Sequence, residues 1–95
     1  MRFDWDETKN AINLRKHGVD FDTAAVVFED PFQLQVLERT VNGESRWQTT
    51  GMAGDTLLLL VVHTLDDDED DEEFVRIISA RRATPRERRR YEEAI

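Results

Sequence analysis

The dipeptide Asn42-Gly43 stands between two segments that have the composition of strands. In the first, from Phe32 to Val36, apolar residues alternate with glutamines, and the second runs from Glu44 to Met52. A two-residue hairpin turn requires positive φ at both central residues, and Asn-Gly is the pair that adopts this conformation most readily. The sequence therefore predicts an antiparallel hairpin in the middle of the chain.

Further extended segments are expected to join this hairpin. Leu57 to Thr64 is apolar at consecutive positions, which is typical of a central strand buried on both faces. A turn at Ala53 to Asp55 precedes it, and Phe74 to Arg82 follows as the fourth main strand. Arg2 to Trp5 alternates as well and predicts a short edge strand.

Helix signals precede the strands. Asp6 and Asp20 are expected to cap two helices, of which Gly18 ends the first and Pro31 the second. The apolar side of the first helix is expected to consist of Ala11, Leu14 and Gly18, with Ile12 beside them. The second helix carries apolar residues at i, i+3, i+4 and i+7, namely Phe21, Ala24, Ala25 and Phe28.

A capping box opens the last helix. Thr84 and Glu87 occupy the cap and the third helical position, and Pro85 stands at the first. The helix is expected to run to the end of the chain, with one side formed by Arg88, Tyr91 and Ile95.

These elements predict an α+β fold with two N-terminal helices, a four-stranded antiparallel sheet and a C-terminal helix. Ninety-five residues form one domain, here residues 1–95, and a domain of this size buries a modest fraction of its surface. Few residues remain to cover the first long strand. We therefore expect a partner to cover its apolar residues, which are Phe32, Leu34, Val36 and Leu37.

Composition excludes several classes of protein. The chain has no cysteine, so it has neither disulfides nor thiolate metal ligands. No apolar stretch reaches the roughly 18 residues that a membrane helix needs, so we expect a soluble cytoplasmic protein without membrane contact. Glycine-rich phosphate loops and the motifs GxSxG, HExxH and CxxC are absent from the sequence.

Charge is distributed unevenly along the chain. The net charge of −8 equals that of residues 66–73, which are eight consecutive acids, whereas residues 74–95 hold seven arginines and three acids. The acidic run does not fit a calcium loop, because Asp71 and Ile77 stand where glycine and glutamate are required. We expect no metal site and a mobile solvated loop over the run. The arginine-rich end either serves an anionic partner or reflects GC-rich codon usage, which gives the same bias toward arginine.

Arginines within the predicted fourth strand are candidate site residues. Strict alternation places Arg81 on the face of Val75, and Arg76 with Arg82 on the face of Ile78. A buried guanidinium is costly unless an anion or a carboxylate meets it. The arginines either bind a phosphodiester or pair with carboxylates inside the fold. The candidate carboxylates are Glu38 and Glu44.

Cleavage of RNA without a metal requires a base for the 2′-hydroxyl, a cation for the phosphorane and an acid for the leaving oxygen. Arginine suits the second role, and the candidates for proton transfer are His63, Glu44 and Tyr91. His63 ends the buried strand and either exchanges a proton near neutral pH or is a hydrogen-bonded core histidine. His17, at the end of the first helix, is expected only to complement the helix dipole.

Several segments of the sequence resemble the BrnT family of toxins. The most specific are Val61-Val62-His63-Thr64 and the run Arg76-Ile77-Ile78-Ser79-Ala80-Arg81-Arg82-Ala83-Thr84. Phe3-Asp4-Trp5-Asp6, Lys16-His17-Gly18-Val19 and Gly43-Glu44-Ser45-Arg46-Trp47 extend the resemblance over nearly the whole chain. The long acidic link before the last strand departs from the short turn usual in that family.

The resemblance implies a type II toxin with a RelE-like fold, a metal-independent endoribonuclease without cofactor that inhibits translation. It implies a hetero-oligomer with a BrnA-type ribbon-helix-helix antitoxin, through which alone operator DNA is bound. The catalytic candidates are Arg81, Arg82, His63, Glu44 and Arg46. The RNA-binding candidates are Arg76, Arg81, Arg82 and Arg88. The alternative is a toxin-fold binding module that has lost catalysis and acts only in a regulatory complex.

Overall fold

Residues 1–67 and 70–95 are described by the computed structural model of the chain. Its elements are β1 (Arg2–Asp4), α1 (Glu7–His17), α2 (Phe21–Val26), β2 (Leu34–Val41), β3 (Glu44–Ala53), β4 (Leu57–His63), β5 (Asp66–Asp67), β6 (Glu73–Arg82) and α3 (Pro85–Glu93). A 3₁₀ turn, Val27–Glu29, continues α2. The α+β class agrees with the sequence prediction, as does the chain order of the three helices, the edge strand and the four main strands, whereas β5 was not predicted.

The sheet has the strand order β1-β6-β4-β3-β2, and β5 pairs with β6. Strands β2, β3, β4 and β6 form the predicted antiparallel series. The expected edge strand β1 is present, but it pairs with β6 in parallel, so the sheet is mixed rather than purely antiparallel. Its partner lies some seventy residues away, a distance over which the sequence carries no pairing signal.

The central hairpin has the expected turn. Asn42 and Gly43 both have positive φ, at 50° and 80°. Strand β4 is covered on both faces, as predicted, because consecutive residues from Leu58 to Val61 are almost fully buried. These local signals were sufficient to place the middle of the fold.

The acidic run is not a loop throughout. Asp66 and Asp67 pair with Phe74 and Glu73, so the chain continues in an extended hairpin beyond β4. The part of the expected loop formed by Asp68 and Glu69 lies outside the described residues.

Helix α1 packs through amides, which corrects the predicted apolar side. Leu14 and Ile12 are about half exposed, at 49% and 51%. Asn13 is buried instead, and its amide nitrogen donates to the carbonyls of Val19 and Ala80, both at 2.8 Å. Its amide oxygen accepts from the backbone N–H of Ala80 at 3.2 Å, which fixes α1 against β6.

Helix α2 lies on the core as predicted, with Phe21 and Ala24 fully buried. The core between the helices and the sheet consists of Val19, Phe21, Ala24, Val27, Leu59, Val61, Val75, Ile77 and Ala80. Gly51 allows the 3₁₀ turn to approach β3, because a Cβ there would lie 2.8 Å from Cγ1 of Val27.

Helix α3 begins at the predicted capping box, in which both reciprocal hydrogen bonds between Thr84 and Glu87 are present. Its predicted packing side is only partly correct. Tyr91 is buried, whereas Arg88 and Ile95 are exposed.

Candidate nucleic-acid interface

One face of the sheet is left uncovered by α1 and α2, and we call it the open face. Two transverse rows of register partners define it. The first row is Val36, Gln48, Val62 and Ser79, and the second is Leu34, Thr50, Leu60 and Arg81. Glu87 and Arg90 of α3 border the second row, together with Ala94, which follows the helix. The groove between α3 and the sheet has a volume of about 280 Å³.

A bulge in β6 places Arg81 on the open face. Val62 pairs with Ser79 and His63 with Ile77, so Ile78 is an extra residue between them. Ala80 consequently joins Ile77 in the core, and Arg81 points to the opposite face. Strict alternation had grouped Arg81 with Val75, and the bulge explains why that prediction is wrong.

Arg81 forms a bidentate ion pair with Glu87 of α3. Its Nη1 and Nη2 donate to the two carboxylate oxygens at 2.8 and 2.9 Å. These hydrogen bonds hold the pKa of Glu87 below its usual value and raise the pKa of Arg81. Both groups are therefore charged throughout the physiological pH range.

Three more arginines lie at the other end of the open face. Arg39 and Arg46 are register partners across the hairpin. Arg46 directly precedes Trp47 in β3, and Arg76 directly precedes Ile77 in β6. Trp47 and Ile77 both pair with His63, so Arg46 and Arg76 lie at the same level of the sheet. Four residues along β3 separate this level from the row of Arg81, which corresponds to about 13 Å.

The arginines at this end are not fully neutralised by the fold. Arg76 forms a long ion pair with Asp4 at 3.7 Å, with both side chains about half exposed. The Nε atom of Arg46 is buried and has no hydrogen-bond acceptor among the described residues. A buried donor without an acceptor is uncommon in native proteins.

His63 lies on the helix-covered side of the sheet. Its ring contacts Phe28 edge-on, with 4.9 Å between centroids, and the side chain is fully buried. Its Nδ1 donates to the carbonyl of Thr64 at 2.8 Å, and its Nε2 lies 2.7 Å from the hydroxyl of Thr49. Burial lowers the pKa of His63, and the hydrogen bond to Thr64, which acts to raise the pKa, does not offset this effect. Of the two alternatives for His63, the structure thus has the hydrogen-bonded core histidine, which faces away from the arginines of the open face.

The remaining predicted site residues are scattered. Arg82 is exposed and pairs in register with the core residue Leu59, so it lies on the side opposite Arg81. Arg88 is exposed on α3. Glu44 is exposed at the start of β3, two residues from Arg46 and therefore on the same face. Tyr91 is buried and donates to Asp30 at 2.5 Å.

The carboxylates that meet Arg76 and Arg81 of β6 are not the predicted ones. The sequence indicated Glu38 and Glu44 as partners, whereas Arg81 pairs with Glu87 and Arg76 with Asp4. Glu87 was already visible as the capping-box residue, but its contact with Arg81 depends on the direction in which α3 leaves the sheet. Glu38 forms an ion pair with its neighbour Arg39 at 3.5 Å and accepts a hydrogen bond from Gln48 at 3.2 Å.

The described residues form neither a metal-binding cluster nor a membrane-spanning helix. Among residues 1–67 and 70–95, no three histidine, aspartate or glutamate side chains converge as metal ligands would. In the same part of the chain, no helix combines the length and apolarity needed to cross a bilayer.

The chain is a small α+β protein that carries arginines on the open face of its sheet. A family model described as the ribonuclease toxin BrnT of type II toxin-antitoxin systems matches residues 5–87. The chain therefore belongs to the BrnT family of ribonuclease toxins.

A solved structure shares the fold. The crystal structure of the Brucella abortus ribonuclease toxin BrnT superposes with a TM-score of 0.59 at 23% identity, over 88% of this chain and 97% of that one. No protein with a curated functional description matches the sequence.

Proposed function

We propose that this chain is an endoribonuclease toxin whose RNA substrate binds on the open face. The observation that carries the proposal is that Arg46, Arg76 and Arg81, from two strands, share the one sheet face that the N-terminal helices leave uncovered. Guanidinium groups bind phosphate oxygens in a bidentate manner and stabilise the charge that develops on a phosphorane.

Proton transfer needs a group that reaches this face. Both ring nitrogens of His63 are engaged inside the core, and the hydroxyl of Tyr91 is bound to Asp30. Glu44 is exposed beside Arg46 on the same face. We assign Glu44 as the base that accepts the proton of the 2′-hydroxyl.

We further propose that cleavage is metal-independent, because the arginines supply the positive charge that a metal ion would otherwise provide. RNA incubated with the purified chain in EDTA is expected to be cut, and the new 5′ ends can be mapped. When the chain is expressed by induction in the cytoplasm of a host cell, translation is expected to fall as RNA is cut. Undiminished translation together with intact RNA would contradict the proposal.

A BrnA-type antitoxin is the proposed partner. The groove between α3 and the open face has an apolar floor of Leu34, Val36 and Leu60, with Arg90 at its border. Val36 is 49% exposed, as expected for a strand that lacks a cover. This combination fits an amphipathic helix with acidic flanking residues. The ribbon-helix-helix part of the antitoxin would bind the hetero-oligomer to operator DNA.

Binding of this helix can be tested on the groove itself. Val36→Asp is expected to weaken the affinity for the BrnA-type antitoxin by at least tenfold, about 1.4 kcal/mol. Ile12→Asp, on the exposed side of α1, is the matched control because Ile12 is equally exposed. Equal weakening by both variants would place the antitoxin elsewhere.

The ion pairs favour a second candidate function. Arg81 with Glu87 and Arg76 with Asp4 are the kind of internal neutralisation expected of a toxin-fold module without catalysis. Such a module would bind the antitoxin and join the regulatory complex, but would leave RNA intact at every concentration tested. The cleavage assay in EDTA therefore separates the two functions.

A further inference from the structure

The guanidinium of Arg81 has five N–H donors, of which the fold uses three. Nη1 donates to Oε1 of Glu87 at 2.8 Å and to the carbonyl of Arg82 at 3.2 Å. Nη2 donates one of its two hydrogens to Oε2 of Glu87 at 2.9 Å. Within the described residues, nothing accepts from Nε or from the second hydrogen of Nη2.

These two remaining donors lie on the same edge of the planar guanidinium and point in parallel. The spacing of such an edge matches two oxygens of one phosphate group. Because Glu87 occupies the opposite end of the guanidinium, the fold fixes Arg81 without consuming this edge. An arginine held in this way has lost its rotamer entropy before the ligand arrives.

We propose that the Nε/Nη2 edge of Arg81 is a preformed phosphate-binding fork and that Glu87 is its positioning residue. This inference rests on the proposed function, since it names the group of the RNA that the open face would bind at this end. The phosphate is that of a phosphodiester in the RNA strand.

Glu87 is itself rigidly held. Its Oε1 also accepts from the backbone N–H of Thr84 at 2.9 Å, and its own N–H donates to the hydroxyl of Thr84 at 3.2 Å. Four residues further along α3, the hydroxyl of Tyr91 is bound to buried Asp30. The carboxylate therefore cannot follow a moving arginine, and it orients Arg81 relative to the sheet.

A shielding role for Glu87 predicts the opposite result. If the carboxylate only neutralised Arg81, its removal would strengthen phosphate binding by raising the local positive charge. If it positions the fork, its removal frees the guanidinium to rotate and weakens binding despite the gained charge. The sign of the change in affinity decides between these roles.

The test is a titration of ¹⁵N-labelled protein with inorganic phosphate, followed at the Nε–H resonance of Arg81. Wild type is expected to show a saturable shift, and Glu87→Gln is expected to bind about tenfold more weakly. Glu92→Gln, an exposed position on the same helix, is the control and should behave as wild type. Absence of a shift in wild type, or equal or tighter binding by Glu87→Gln, would overturn the inference.

Arg81→Lys provides a second route, because it keeps the charge and removes the fork. Phosphate affinity, read from the backbone amide of Leu60 beside it, is expected to fall to a similar extent, and an unchanged affinity would contradict the inference. Phosphate binding does not require RNA cleavage. A fork that binds phosphate in a chain that leaves RNA intact would therefore refute the proposed function alone.

Discussion

The hydroxyl of Tyr91 donates a 2.5 Å hydrogen bond to Oδ2 of Asp30, across 61 residues of sequence. The same carboxylate accepts from the backbone N–H groups of Met52 and Phe32, both at 2.8 Å. Burial, together with this bond, raises the pKa of Tyr91 to about 12. The contact fastens α3, and with it Glu87, to the 3₁₀ turn and β3.

Asp30→Asn is expected to destabilise the fold by about 1–3 kcal/mol, because it replaces an acceptor of three hydrogen bonds inside the protein. Burial pushes the pKa of Asp30 upward, but the bonds from Met52, Tyr91 and Phe32 outweigh it, and the pKa lies below its usual value. Its stabilising contribution is therefore present above the unfolded-state pKa, about 3.9, and is lost as pH falls through the folded one.

Urea unfolding at pH 7 and near pH 3 measures this contribution. Asp22→Asn, at an exposed position of α2, is the control and should leave the midpoint nearly unchanged. A difference between Asp30→Asn and wild type that is as large at the acid pH as at pH 7 would be inconsistent with a stabilising carboxylate.

His63 is expected to make the stability of the protein depend on pH below the unfolded-state pKa of histidine, about 6.5. Burial lowers its folded-state pKa, so below the unfolded value of about 6.5 the unfolded chain binds the additional proton. Stability should therefore decrease as pH falls below this value, by at most about 1.4 kcal/mol per pH unit. His63→Gln should flatten the profile measured by urea unfolding. A profile that keeps its slope in this variant would refute the assignment.

Arg81 and Arg82 are expected to differ in their effect on toxicity. Loss of one well-placed transition-state donor costs on the order of 10²–10³ in rate, and Arg81 lies on the open face. Arg82 lies on the other side, so Arg82→Ala should retain more toxicity than Arg81→Ala on induced expression. Both variants should remain folded by circular dichroism. Equal loss of toxicity in both variants would instead favour a catalytic site that contains both arginines, as the resemblance implied.

The acidic run is expected to be dispensable for folding. Asp67 and Glu73 are register partners, so an Asn-Gly turn in place of residues 68–72 suits the hairpin. The exchange removes the ion pair between the N-terminus and Glu72, which is partly exposed and worth about 1 kcal/mol or less. The midpoint temperature of thermal unfolding should change little. A gain in RNA affinity at low salt that vanishes at high salt would show that the run shields the open face.

Local signals in the sequence predicted the helices and strands, but they did not predict the contacts between elements that are distant in sequence. Asn42-Gly43, the cap residue Asp6 and the capping box at Thr84 each act within a few residues, and each was placed correctly. The parallel pairing of β1 with β6 depends on the whole sheet, and no local pattern indicates it.

The site was less predictable than the fold for a specific reason. One extra residue, Ile78, reverses the facing of everything after it in β6, and nothing in its identity marks a bulge. Asn13 lies in the core because two backbone groups of Ala80 need partners, which a search for apolar periodicity cannot reveal. The sequence thus identified arginines of the open face but not their orientation.

Cleavage of RNA by the purified chain in EDTA tests the central claim most directly. Wild type is expected to cut the RNA, and Arg15→Ala, at an exposed position of α1, should produce the same 5′ ends. Arg46→Ala and Arg76→Ala should cut about tenfold or more slowly. Intact RNA with folded wild-type protein, or full activity in both open-face variants, would contradict the account.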